Sequence, residues 1–101
     1  MASEYSIRWT DESVRILEGI LVYLEENWSE NEVLDFKMRL ASMLNTLKQF
    51  PTLFPESEMV PRLRKAVLSP QTTILYEVQS KIINLIYLFD SRQNPSKVKE
   101  T

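Results

Sequence analysis

Nine residues near the end of the chain, IINLIYLFD (82–90), carry apolar side chains on both alternating sets. Ile82, Ile86 and Leu88 form one set, Ile83, Leu85, Tyr87 and Phe89 the other, and Asn84 is the only polar residue before Asp90. A strand with two apolar faces predicts a central position in a sheet, covered on both sides. Two further runs rich in β-branched and aromatic residues precede it, RLRKAVLS (62–69) and QTTILYEVQ (71–79). Their separators, SPQ and a short turn around Ser80, predict an antiparallel three-stranded meander.

Upstream the apolar period changes twice. EYSIRWT (4–10) alternates Tyr5, Ile7 and Trp9 against polar neighbours, a strand signature. From Thr10 or Asp11 as N-cap, Val14, Leu17, Leu21, Leu24 and Trp28 recur at helical spacing, widened by Ile16, Ile20 and Tyr23. On this spacing Trp9, Tyr23 and Trp28 are expected in the core, and Gly19 permits close packing within the first helix. In WSENEV, Ser29 is placed to cap a second helix, Glu32 to answer it in a capping box, and Trp28 with Val33 to form a hydrophobic staple. That helix starts near Glu30 and runs through Phe36, Leu40, Met43, Leu44 and Leu47 to about Gln49, where FPTLFPE ends it with two prolines. The order is β-α-α-β-β-β: an α+β domain in which an antiparallel helix hairpin covers one face of the sheet and leaves the other exposed.

The 101 residues are expected to form one domain, 1–101, with a core over about 4–90 and a polar tail over 91–101. A chain of this length removes roughly 60 to 70% of its unfolded surface without staples. The absence of cysteine and histidine excludes a Cys/His zinc site, thiol chemistry and any histidine-based triad. No metal and no cofactor is expected. No stretch is apolar for the roughly 18 residues of a membrane span, and MASEYSIRWT lacks the charged-then-apolar pattern of a signal peptide. A soluble cytoplasmic protein without membrane partners is the expectation. Residues 1–58 hold eleven acids and five bases, residues 59–101 three acids and seven bases, and the whole is acidic with pI about 5.2. This is a poor electrostatic footprint for a protein drawing its affinity from phosphates.

The order of elements resembles the RelE/ParE superfamily of bacterial type II toxin–antitoxin toxins. The residues that carry the likeness are Trp9 closing the first strand, YLEENW (23–28) closing the first helix and LxxFPxLFP (47–55) closing the second. Further matches are RLRK (62–65) entering the next strand, LYEV (75–78) around Tyr76, and FDSRQNPSK (89–97) at the end. The likeness spans roughly residues 5–97. It implies a cytoplasmic toxin neutralised by a cognate antitoxin, with operator DNA contacted only through that antitoxin. RelE-like members are ribosome-dependent endoribonucleases that cut messenger RNA; ParE-like members poison DNA gyrase, and this is the activity expected here, with RNA cleavage or a nontoxic interaction domain on the same fold as the alternatives.

Cleavage by 2′-hydroxyl attack needs a base, an acid and cations around the phosphate. Arg62 and Arg64 are expected on one strand face with Lys65 on the other, and Arg92 lies just beyond the last strand. Glu77 is the default base, or else a cross-strand ion-pair partner of Arg64 or Lys65. In RelE-like nucleases an arginine usually lies three residues before the tyrosine of the third strand; here Thr73 precedes Tyr76. A tyrosine or histidine acid usually follows the C-terminal basic residue; here Gln93, Asn94 and Pro95 follow Arg92. The catalytic candidates are therefore Arg64, Glu77 and Arg92. Arg62, Arg64, Lys65 and Arg92 are candidates for antitoxin or target binding, and an acidic antitoxin tail is expected across a face carrying Arg62, Arg64 and Arg92. RLRK is otherwise a charged sheet edge that blocks edge-to-edge pairing. Asp90 and Arg92 share a side, which fits either an ion pair that fixes the tail or a free cationic finger. Glu18, Glu25, Glu26, Glu30, Glu32 and Asp35 form a solvated helix face.

Overall fold

The computed structural model describes residues 4–92. The polar tail beyond Arg92, including the expected turn at Asn94 and Pro95, lies outside the described residues. The elements are β1 (Ser6–Trp9), α1 (Asp11–Asn27), α2 (Glu30–Gln49), β2 (Arg64–Val67), β3 (Thr72–Gln79) and β4 (Ile82–Asp90). The strand order is β1-β4-β3-β2. The meander is antiparallel as the sequence predicts. β1 joins it parallel to β4, with Ser6 opposite Ile82 and Trp9 opposite Leu85. β4 is thus a central strand.

The helix ends follow the local chemistry. The Thr10 hydroxyl accepts from the Ser13 amide and the Ser29 hydroxyl from the Glu32 amide, each satisfying one orphan donor of a first turn. α1 buries Ile20 and Leu24, α2 buries Phe36, Leu40 and Leu47, and these meet Ala66, Ile74, Tyr76, Ile83, Leu85 and Leu88 from the sheet. Ile16, Leu17, Leu21, Tyr23, Val33, Met43 and Leu44 pack around that centre. The apolar stripes of both helices therefore face the sheet, and Trp9 is partly buried among them.

Two expectations about β4 are corrected. Leu75 pairs with Tyr87 but the next residue, Tyr76, pairs with Leu85, so Ile86 is an extra residue on β4. This β-bulge reverses the alternation halfway along the strand. Ile83 and Leu85 before the bulge and Leu88 and Asp90 after it all face the helices. Ile82, Tyr87 and Phe89 are about 40% exposed on the opposite face, so β4 is central yet covered on one side only. Asn84 is buried on that outer face because the Arg8 guanidinium donates to its side-chain oxygen at 3.0 Å.

β2 is shorter than the run RLRKAVLS. After Pro61 the Leu63 amide donates to the Val60 carbonyl, and this turn delays the strand until Arg64. Residues 55–57 run alongside, with Glu56 bridged to Arg64 and the Lys65 amide donating to the Pro55 carbonyl. Ser80, in the β3–β4 turn expected there, takes φ 56°, the left-handed region a tight hairpin requires. Among the described residues no helix is long and apolar enough to cross a membrane.

Candidate functional site

The rim beyond β4 is built around a carboxylate. Asp90 faces the helices and its side chain is almost wholly buried. It accepts from the Thr72 hydroxyl at 2.7 Å, from the Arg92 amide at 2.9 Å, and from Nη2 and Nε of Arg92 at 3.0 and 3.2 Å. A third nitrogen of the same guanidinium donates to Glu32 at 3.3 Å, and its carbon lies 5.4 Å from the centre of the Trp28 ring. Burial pushes the Asp90 carboxyl up, but the hydrogen bonds from Arg92 and Thr72 and the Arg92 charge outweigh it and hold the pKa below the ordinary aspartate value. The Asp90 hydrogen bond keeps the Arg92 guanidinium more firmly protonated against its own desolvation. Of the two alternatives left by the sequence, the ion pair is what forms.

The sign of the Asp90 shift fixes an acid response. Its folded pKa lies below the unfolded one, so the unfolded chain takes up this proton first. The stabilisation is fully present above the unfolded value and disappears as pH falls through the folded one. Urea midpoints measured from neutral pH downward should hold until the ordinary carboxylate range and then fall, with a shallower acid slope in Asp90→Asn.

Trp28 is a correction. The sequence spacing places it in the core, but it is 52% exposed and stacks against Arg92. Glu32 is likewise engaged by Arg92 rather than by the cap it was expected to answer. Trp28, Glu32 and Arg92, with Asp35, Phe36, Arg39 and the β2–β3 turn, border a cavity of about 260 Å³ in which Arg39 is paired with Asp35 at 2.9 Å.

Arg62 and Arg64 do not share a face, because Arg62 precedes the strand. Arg62 lies on the outer side and pairs with Glu77 at 3.1 Å, while Arg64, opposite Tyr76, donates to the Phe54 carbonyl at 2.7 Å. The Tyr76 phenol donates to the Pro51 carbonyl at 2.8 Å, so both side chains tie the 51–55 segment to the sheet. Burial holds that phenol above its ordinary pKa against the lowering effect of Arg64. Arg92 stands at the Thr72 end of β3, and Glu77 lies five residues further along it, roughly 17 Å away at strand rise. The structure therefore unites Arg62 with Glu77 and keeps Arg64 and Arg92 apart from them. The single face expected to carry Arg62, Arg64 and Arg92 does not exist.

Lys65 points to the outer sheet face. There it lines a groove of about 680 Å³ with Thr73, Leu75, Tyr87 and Phe89 as floor and residues 55–59 as wall. The sequence reading passed over this wall, whose signal is the segment PESEM, two carboxylates and a methionine held between prolines. Among the described residues no group of three or more His, Cys, Asp or Glu side chains is placed to hold a metal ion.

The architecture, two helices on one face of a four-stranded sheet with β1 parallel to β4, is that of the RelE/ParE-like toxin fold. The chain is similar to a chain of the chromosomal ParDE TA system from P. aeruginosa, with a TM-score of 0.72 and 19% identity over 86% of this chain and 96% of that one. It is also similar to YafQ from E. coli strain BL21(DE3), with a TM-score of 0.52 and 13% identity over 87% of this chain and 94% of that one. A chain of the E. coli DinJ-YafQ toxin-antitoxin complex matches with a TM-score of 0.51, at 13% identity over 88% of this chain and 94% of that one. No protein-family model and no curated protein sequence matches the chain.

Proposed function

We propose that the protein is the toxin of a type II toxin–antitoxin pair, that it acts in the cytoplasm, and that it arrests growth by binding DNA gyrase rather than by cutting RNA. The observation that carries this reading is the state of the candidate cations. Arg92 is held by Asp90 and Glu32, Arg62 by Glu77, and Arg64 by a backbone carbonyl. A scissile phosphate would have to displace partners already bonded to each guanidinium, and at Arg92 it would leave a buried carboxylate unpaired. The outer face offers an aromatic and aliphatic floor with two acidic side chains instead, which suits protein contact and repels a polyanion. The superfamily fold supports the toxin reading, and the antitoxins named with the ParDE and DinJ-YafQ structures support a cognate antitoxin as partner.

Expression without its genomic neighbour, with DNA synthesis and translation followed separately, tests the reading. DNA synthesis should stop first and messenger should remain intact; prompt cleavage of translated messenger would replace this reading with the nuclease one. Co-expression of the neighbouring gene should restore growth.

A further inference from the structure

We propose that the groove on the open sheet face is the surface that engages the target protein, and that it accepts a target segment in which apolar side chains stand next to a basic residue. This rests on the gyrase reading above and specifies its contact.

The floor is set by register. Lys65, Leu75 and Tyr87 lie side by side across β2, β3 and β4, and Val67, Thr73 and Phe89 form the adjacent row. The bulge at Ile86 takes one residue out of the alternation, so Tyr87 and Phe89 face outward although they share sequence parity with the inward Ile83 and Leu85. Tyr87 and Phe89 are 42% and 40% exposed, and Met59 on the wall is 90% exposed. An unbranched thioether left in water beside two aromatic rings is suited to moulding itself to an incoming apolar side chain.

The wall is fixed in place before anything binds. Ser57 is buried, its amide donates to the Leu63 carbonyl at 2.7 Å, and its hydroxyl accepts from the amides of Met59 and Val60 at 3.3 Å. With the Lys65 amide on the Pro55 carbonyl at 2.9 Å, these bonds hold Glu56 and Glu58 at the groove margin. Both carboxylates are exposed, and among the described residues neither side chain has a hydrogen-bond or ion-pair partner. Among the described residues Lys65 is the one cation in the lining, and the nearby Arg62 is neutralised by Glu77. A groove with an apolar floor and a net acidic margin is complementary to a segment presenting Leu- or Phe-like anchors beside an Arg or Lys. A nucleic-acid strand would meet those free carboxylates with its phosphates.

The test titrates the full-length protein into supercoiling reactions with purified DNA gyrase. Wild type is compared with Glu56→Lys/Glu58→Lys, with Phe89→Ser, and with Glu18→Lys/Glu26→Lys, which makes the same charge change on the solvated helix face. The groove variants should require at least about tenfold more protein for equal inhibition, as loss of complementary charge or of an anchor site predicts, and the helix-face variant should match wild type. Circular dichroism and thermal melts confirm that each variant is folded. Hydrogen exchange of the wild-type protein should show residues 55–59 and 87–89 protected when gyrase is added. Groove variants that inhibit at wild-type concentrations, or no protection there while inhibition occurs, would overturn the groove assignment. Equal loss in the helix-face variant would overturn it in favour of overall charge. Absence of inhibition by wild type would overturn instead the gyrase reading on which it rests.

Discussion

Asp90→Ala should lower the unfolding free energy by about 3 kcal/mol, with a melting temperature lower by roughly 10 to 20 °C for a domain this size. Removing one member of a fully buried ion pair costs roughly 3 to 5 kcal/mol, because the remaining charge keeps its desolvation penalty and loses its partner. Here the Arg92 side chain retains 13% exposure and keeps Glu32, which places the effect at the lower end. The Thr72 hydroxyl is also left without its acceptor in a buried position. Asp90→Asn keeps an acceptor for Thr72 and loses the charge, so its effect should be smaller. Because Arg92 is held over Trp28 by this carboxylate, Asp90→Ala should also change tryptophan emission in the folded protein. A stable Asp90→Ala variant with unchanged fluorescence would mean that the rim is not organised around this residue.

Leu88→Ala should be comparably severe. The bulge at Ile86 takes one residue out of the alternation, so Leu88 faces the helices at 1% exposure and Phe89 faces the open side at 40%. Regular alternation from Ile83 and Leu85 would give the reverse, with Phe89 inside and Leu88 in solvent. Truncating a fully buried leucine removes roughly 2 to 5 kcal/mol, so the melting temperature should fall by roughly 10 to 30 °C. Phe89→Ala should lose much less. Deletion of Ile86 should leave the side chains of β4 on their present faces, because Leu85 and Tyr87 would then follow each other in the ladder as Tyr76 and Leu75 do. A Phe89→Ala variant melting lower than Leu88→Ala would show that the bulge does not set the facing.

The helices were legible because their signals are local. Ser29 three residues before Glu32, the recurrence of Phe36, Leu40 and Leu47, and the prolines after Gln49 are all short-range chemistry, and so is the β-α-α-β-β-β order. What failed depends on pairing between distant segments. The alternation in IINLIYLFD is regular as a string, and only its register against TTILYEVQ reveals that Ile86 stands out of the ladder. Trp28 keeps the α1 spacing but occupies the C-cap, with φ −124° and ψ −98°, so the periodic geometry that would bury it has ended. Arg62 and Arg64 are two apart, yet parity carries no meaning when only one of them is in the strand. The Asp90–Arg92 relation was visible as an alternative, and the buried Thr72 hydroxyl opposite it decides the outcome.

Each candidate arginine is already bonded within the fold: Arg64 to the Phe54 carbonyl in the loop after α2, Arg62 to Glu77, and Arg92 to Asp90 at the end of β4 and Glu32 at the start of α2. The open chemistry lies on the face the helices leave uncovered, where Met59, Tyr87 and Phe89 meet solvent beside Glu56 and Glu58.

The most direct measurement is a supercoiling assay with purified gyrase, relaxed plasmid and ATP, run alongside a translating extract with the same protein concentrations and end-mapping of the messenger. The account predicts inhibition of supercoiling at protein concentrations near that of gyrase, with messenger left intact. Undiminished supercoiling together with ribosome-dependent cuts in the messenger would contradict it.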